Sequence, residues 1–237
     1  MNYKDNIKDW YKIAIGSGVQ SMSMKPDKNF KKHLILPCSM IAIIGSTGSG
    51  KTSTLIELLS RKNDAFTRII IFTGSTSDEP LYNYLKKHID GIEIIDDPEL
   101  LPNLHDMNDE EKNTEKLIVF DDFINMNKKA LKQIQNWFIA SRKYGFSSIA
   151  LCQSFTEIPI ALRRNIQYFM IFRLNDVNSI NQIIKTHNNV GDDKDAIKEM
   201  YFEATENPKN FFMLDLKDPK YRYRHNFLDI LNIKNYE

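Results

Sequence analysis

Residues 45–52 read GSTGSGKT, with the apolar run MIAII at 40–44 before them and TSTLIELLSRK at 52–62 after them. The string satisfies G-x-x-x-x-G-K-[ST] in the setting that motif requires, a short strand running into a helix. Gly45, Gly48 and Gly50 let the backbone through Ser46, Thr47 and Ser49 wrap phosphate oxygens with N–H groups, partly in conformations a side chain obstructs. The helix that follows adds the positive end of its dipole, and Ser53 lies in its first turn. Lys51 is expected to reach the β- and γ-phosphates and the Thr52 hydroxyl to ligate a metal. The implied cofactors are ATP and Mg²⁺.

Outward from this loop, short apolar runs alternate with helical patterns. Strands are expected at 33–36, 40–44, 68–73, 92–95, 117–121, 147–152, 168–172 and 211–214, and helices at 51–62, 79–88, 127–143, 177–187 and 192–205. IAII, IIIF and LIVF lack polar alternation, as strands covered on both faces of a parallel sheet do. The expected fold is α/β, a mostly parallel central sheet flanked by helices. KLIVFDD at 116–122 delivers two carboxylates to a strand end. Asp121 is the expected Mg²⁺ ligand, and Asp122 is placed to orient or activate the attacking water; a helix N-cap is the ordinary alternative for one of the two. The next strand ends at Gln153, where an amide can sense the γ-phosphate. Arg142 and Arg163, the latter beside Arg164, are candidate arginine fingers supplied to a neighbouring subunit. For Arg142 the competing reading is a cation at a helix C-terminus.

The chain has 237 residues and 27.7 kDa with 42% hydrophobic residues, enough for a sizeable core and too much for a disordered or disulfide-stapled module. Its net charge of +1 argues against a uniformly basic nucleic-acid coat, but the charge is uneven. Residues 92–115 carry nine acids and one base, a local −8, and residues 1–34 carry seven bases and three acids. Cys38 and Cys152 lie in or beside apolar runs, which fits buried thiols in a reducing compartment. MNYKDNIKDW lacks the apolar run of a signal peptide, and Gly, Ser, Thr and Pro break up the uncharged stretch at 33–50, so no membrane span is expected and a soluble protein is. The expected organisation is an N-terminal arm at 1–32 with a short amphipathic helix (Ile7, Trp10, Tyr11, Ala14), an ATPase core at 33–215, and a basic strand and tail at 216–237.

P-loop, acid-pair strand and a strand ending in Gln follow one another as in ATPases with an additional strand between their two nucleotide-binding motifs. SRKYGFSSIALCQSFTEIPIALRRNIQYFMIFRL at 141–174 resembles the segment of the FtsK/HerA motor superfamily in which Arg-x-x-Gly precedes a strand ending in Gln and a Pro-containing loop leads to a basic residue and an Asn, here Arg163 and Asn165. Together with Asp121 and Asp122, the chain is most similar to the genome-packaging ATPases of large double-stranded DNA viruses and virophages, over roughly residues 35–185. The resemblance implies a RecA-like core in a homo-oligomeric ring, commonly a hexamer. ATP then lies between subunits, double-stranded DNA in the channel, capsid vertex proteins stand as partners, and the location is host cytoplasm, viral factory or virion. It also implies a trans arginine at Arg142 or Arg163. Candidate DNA-gripping segments are the loop 74–80, the N-terminal arm, and YRYR at 221–224 with Arg222 and Arg224 on one strand face; an edge strand guarded by charge is the plainer reading of the last. The rival function is a small-molecule phosphotransferase such as a nucleotide kinase, against which stand the paired acids and the strand-terminal Gln.

Overall fold

Every side chain of MIAII is buried, and the computed structural model places this strand, β1 (Met40–Ile44), in the middle of a nine-stranded sheet. The structure describes residues 24–74, 80–107, 114–123 and 126–236. The remaining strands are β2 (Phe66–Thr73), β3 (Ile92–Ile95), β4 (Glu115–Asp121), β5 (Phe146–Cys152), β6 (Tyr168–Ile171), β7 (Phe212–Asp215), β8 (Tyr223–His225) and β9 (Asp229–Ile230). Their order is β3-β2-β4-β5-β1-β6-β7-β8-β9. The first six run parallel and the last three antiparallel. β5 inserts between the P-loop strand and the acid-pair strand, pairing Ile41 with Ile149 on one side and Val119 with Ile149 on the other.

Among the described residues, six α-helices cover the two faces: α1 (Lys51–Arg61), α2 (Pro80–His88), α3 (Lys128–Ala140), α4 (Ile160–Arg163), α5 (Val177–His187) and α6 (Lys194–Ala204). Leu55, Leu58 and Leu59 of α1 and Tyr82 and Leu85 of α2 pack on Ile41, Ile43, Ile71, Val119 and Leu151 on one face. Ile134, Trp137 and Phe138 of α3, Ile180 and Ile183 of α5, and Ile197 and Met200 of α6 cover the other. The parallel strands are therefore shielded on both sides, which is why they read as unbroken apolar runs.

Several expectations need correction. Residues 33–36 form no strand; His33 follows a 3-10 turn at Phe30–Lys32, and Leu34 takes a φ of 56°, which no strand tolerates. The helix expected to run to 143 ends at Ala140 and tightens into a 3-10 turn at Ser141–Tyr144, closed by Gly145 at φ 80°. Arg222 and Arg224 share no exposed strand face. Arg224 is fully buried, binding Asp215 at 3.1 Å and donating to the carbonyls of His33 and Phe227, while Arg222 precedes β8 and donates to the His187 carbonyl. Neither is presented to DNA. β8 is internal, and the expected boundary at 215 falls between hydrogen-bonded strands β7 and β8. The amphipathic helix at 7–14, the N-terminal arm to residue 23 and the loop interior at 75–79 lie outside the described residues.

A buried polar cluster closes the end of the sheet opposite the P-loop. Lys62 Nζ reaches Glu115 Oε2 at 2.8 Å, Ser147 Oγ donates to the same carboxylate, and His33 Nε2 faces Asp27 at 3.1 Å. The His33 Nδ1 accepts the Ile35 N–H, so the neutral Nε2–H tautomer satisfies both ring nitrogens; burial, with Lys62 nearby, lowers its pKa to about 4. Two acids of the 92–115 segment are internally paired, Glu115 here and Glu93 with Arg68 at 2.7 Å. Cys38 and Cys152 are both free and buried, with burial as the main cause of their raised pKa values, and Cys38 reaches about 11. They are inert thiols rather than nucleophiles.

Candidate nucleotide site

The N-terminus of α1 is built to stay open. Asn127, Asp176 and Asp193 cap α3, α5 and α6 with side-chain oxygens, but α1 is capped by Gly50, which has no side chain to offer and a φ of 110°. The first N–H groups of α1 therefore have no intrahelical or capping partner and point at whatever anion arrives. Gly45 is dictated by space, because a Cβ there would lie 2.5 Å from Ser49 Oγ and 2.8 Å from Phe172 Cβ. The Ser49 Oγ is buried without a hydrogen-bond partner, a polar atom inside the loop that a phosphate or its water shell would satisfy. Lys51 turns its ammonium onto the loop's own carbonyls, Gly45 O at 2.8 Å and Ser46 O at 3.1 Å. Its cation thus already sits inside the cradle.

Asp121 ends β4, and Asp122 leaves the strand at a φ of 49°, an unfavourable angle for a residue with a side chain. That turn separates the two acids: Asp121 is partly buried and Asp122 exposed. Desolvation raises the Asp121 pKa, opposed by a hydrogen bond from Tyr82 and the charge of Lys51. Tyr82 Oη donates to Asp121 Oδ2 at 2.5 Å from α2. The Gly74 N–H binds the Asp121 carbonyl at 2.8 Å, and a Cβ on Gly74 would stand 2.0 Å from the Asp122 carbonyl oxygen. The end of β2 is therefore pressed against the acid pair. Thr52 and Asp121 offer one hydroxyl and one carboxylate, hard oxygen donors suited to Mg²⁺, which takes its other ligands from phosphate and water. Among the described residues no three His, Cys, Asp or Glu side chains converge on a point that could hold a metal ion.

Gln153 follows β5 directly, beside the P-loop, because the Gly45 N–H binds the Cys152 carbonyl at 3.1 Å. Its side chain is exposed and its N–H, like that of Ser154, donates to Glu157 Oε2 at 3.0 Å. Arg163 holds the same loop: Nε donates to Ile158 O, Nη2 to Thr156 O, and the guanidinium lies over the Phe155 ring at 4.7 Å. Arg142 is exposed on the 3-10 turn that begins β5, a strand of seven residues, so it stands about 20 Å from its own phosphate loop. The structure brings the P-loop, Asp121, Asp122 and Gln153 to one end of the sheet, ties Arg163 into the loop that follows Gln153, and leaves Arg142 at the other end of β5. Tyr82, Gly74 and Glu157 are the additions that sequence reasoning lacked. Glu157 had a local signal in the capping-box spacing from Ser154, Gly74 a weaker one as a glycine at a strand end, and Tyr82 none.

A family model, Poxvirus A32 protein, matches residues 27–221. A search of curated proteins returns no match. Among solved structures, the genome packaging NTPase B204 from Sulfolobus turreted icosahedral virus 2, in complex with sulfate, is similar with TM-score 0.55 and 15% identity over 84% of this chain and 100% of that one. ATPases 2 and 3 of EssC from Geobacillus thermodenitrificans give TM-score 0.55 and 17% identity over 81% of this chain and 39% of theirs. The pCW3 conjugation coupling protein TcpA gives TM-score 0.51 and 12% identity over 93% and 75%. At such identities these likenesses speak to the fold, a RecA-like sheet with an additional strand between its two nucleotide motifs. With an open phosphate loop, a strand-end carboxylate across β5 and a family match over most of its length, this chain has a RecA-like P-loop ATPase fold and belongs to the Poxvirus A32 protein family.

Proposed function

We propose that the chain is the motor that packages a viral genome, coupling ATP hydrolysis to translocation of double-stranded DNA through a homo-oligomeric ring. The single observation that carries this reading is the position of Gln153 at the end of the strand between β1 and β4, on a chain of the Poxvirus A32 protein family. A bound Mg²⁺ would neutralise charge on the phosphates. Thr52 and Asp121 would hold it. Lys51 trades the Gly45 and Ser46 carbonyls for phosphate oxygens, and Asp122, exposed and turned off the strand, orients the attacking water and accepts its proton. Gln153 reads the γ-phosphate and passes the difference between ATP and ADP to the loop that Glu157 and Arg163 brace. Arg142 faces outward, where it serves a neighbouring subunit's nucleotide. No helix among the described residues is long and apolar enough to cross a membrane. Capsid vertex proteins are the proposed docking partners, at the site of virion assembly.

The test is steady-state ATPase activity and oligomeric mass of the purified protein with and without duplex DNA. DNA-stimulated turnover by a ring supports the motor. ATP hydrolysis indifferent to DNA, with phosphorylation of a nucleoside monophosphate, would establish the nucleotide kinase instead. Lys51→Ala is expected to lose nucleotide binding; Asp122→Asn is expected to bind and not turn over, and normal turnover by it would remove Asp122 from the chemistry.

A further inference from the structure

Between α6 and β7 the chain makes a tight turn, with the Asn210 N–H bound to the Asn207 carbonyl at 3.2 Å, Pro208 in the second position and Lys209 in the third at a φ of 71°. A positive φ at that position is the demand of a type II turn, which glycine or asparagine ordinarily meets. Lysine is there at a cost in strain. The turn is not loose: the Asn226 side chain accepts the Phe211 N–H at 3.1 Å and donates to Asn210 Oδ1 at 3.2 Å, and the Asn226 N–H binds the Phe211 carbonyl. This anchoring sets Lys209 against the phosphate loop. A Cβ built on Gly50 would meet Lys209 Cγ at 3.6 Å and Cβ at 3.7 Å, beside the Phe172 ring. Among the described residues no carboxylate or carbonyl takes the exposed Lys209 ammonium.

Its placement carries a second cost. The N-terminus of α1 bears partial positive charge, and an ammonium next to it is repelled. The like-charge approach is relieved by one ligand, a polyanion seated on the helix N-terminus beside Lys209, while the strained turn holds the side chain in place. Strand order says which part of it. β7 lies on the far side of β1 from β4, with β6 between, so Lys209 approaches opposite Asp121. The γ-phosphate belongs on the Asp121 side, and the α-phosphate and nucleoside lie toward Lys209.

We infer that Lys209 is a nucleotide-binding residue, a second cation that contacts the α-phosphate side of a nucleoside di- or triphosphate on the phosphate loop. The inference rests on the reading of that loop as the nucleotide site. Because the contact is made alike to substrate and product, its removal weakens binding and raises KM, with the loss in KM and not in kcat. Lys209→Gly separates binding from folding, since glycine suits the turn better than lysine does. The full-length variant is expected to melt no lower than wild type and to bind ADP and AMP about tenfold more weakly, the size of one charge-assisted contact. KM for ATP rises in parallel, and Lys209→Arg restores most of the affinity. Inorganic triphosphate, lacking the nucleoside, serves as competitor: if the contact is on the α-phosphate side, AMP loses proportionately as much affinity as ADP. Unchanged ADP and AMP affinity in Lys209→Gly would overturn the inference, as would a fall in kcat with affinity intact. Wild-type protein that binds no nucleotide at all would instead overturn the site reading on which the inference stands.

Discussion

Gly74→Ala probes the contact on which the end of β2 and the acid pair meet. The new Cβ would lie 2.0 Å from the Asp122 carbonyl oxygen and 2.8 Å from its carbon, against an ordinary carbon–oxygen approach of about 3.3 Å. Something must move by roughly 1.3 Å. Gly74 cannot retreat alone, because its N–H is bound to the Asp121 carbonyl at 2.8 Å, so the displacement passes into the peptide that joins the two acids. A misplacement of about 1 Å in groups that position a reaction costs on the order of 10²-fold in rate. The phosphate loop and α1 are untouched, so ADP affinity is expected to stay within about threefold, a few tenths of a kcal/mol to 0.7. Overpacking of this kind costs about 1–3 kcal/mol, or roughly 2–12 °C in Tm for a chain of this size. Saturating-ATP turnover, fluorescent ADP titration and a melting curve separate these effects. Gly91→Ala is the control: a Cβ there meets nothing within 4 Å, so the substitution strains a backbone of positive φ, 74°, without touching the acids. Wild-type kcat in a folded Gly74→Ala protein would refute the idea that the β2 end sets the acid pair.

Lys62→Met should destabilise by about 3–5 kcal/mol in urea, because it strands the buried Glu115 carboxylate, whereas Lys62→Met with Glu115→Leu should recover most of that loss; a double variant no better than the single one would contradict a desolvated pair. His33 binds its proton better unfolded, where its pKa is near 6.5, than folded, where it is about 4, so stability is expected to fall as pH drops through that window, by on the order of 2 kcal/mol at pH 5. His33→Gln should flatten the Tm-against-pH curve, and an unchanged slope would exonerate His33. Mixing Arg142→Ala subunits with Lys51→Ala subunits should restore some ATPase activity, since one interface regains both groups; the same mixture made with Arg163→Ala should recover less, because Arg163 already braces its own loop at 156–158. Equal recovery, or none in either, would remove the distinction.

What the sequence disclosed and what it hid divide along distance in the chain. GSTGSGKT, LIVFDD and SSIALCQ each carry their meaning within about eight residues, as a strand and the polar group at its end, and the sheet brings those ends together as expected. The errors came where a partner lies far away. YRYR reads as a basic face until Arg224 is found bound to the carbonyl of His33, 191 residues earlier, and to Asp215 in the neighbouring strand. HLIL has the composition of a strand, but His33 is committed to Asp27 and Leu34 turns through a positive φ. Tyr82 carries no local sign of its bond to Asp121, 39 residues on. Gly74 is legible only as a glycine near a strand end, a hint of close approach without the identity of what approaches.

β5 also governs the order in which the molecule can be made. The two strands that carry the phosphate loop and Asp121 do not touch; each is hydrogen-bonded to β5, which lies between them, with β6 and β2 on their other sides. The join is made late and at long range, as in the bond from the Ser39 N–H to Ser147 Oγ, 108 residues apart. Parallel pairings across such spans form slowly, because the chain must close a large loop before the contact rewards it. A nascent chain that has not yet delivered residue 152 holds β1 and β4 as two bare apolar edges, each a template for pairing with another copy. Until β5 slides between them, it has neither a complete nucleotide site nor protection from its own neighbours on the polysome.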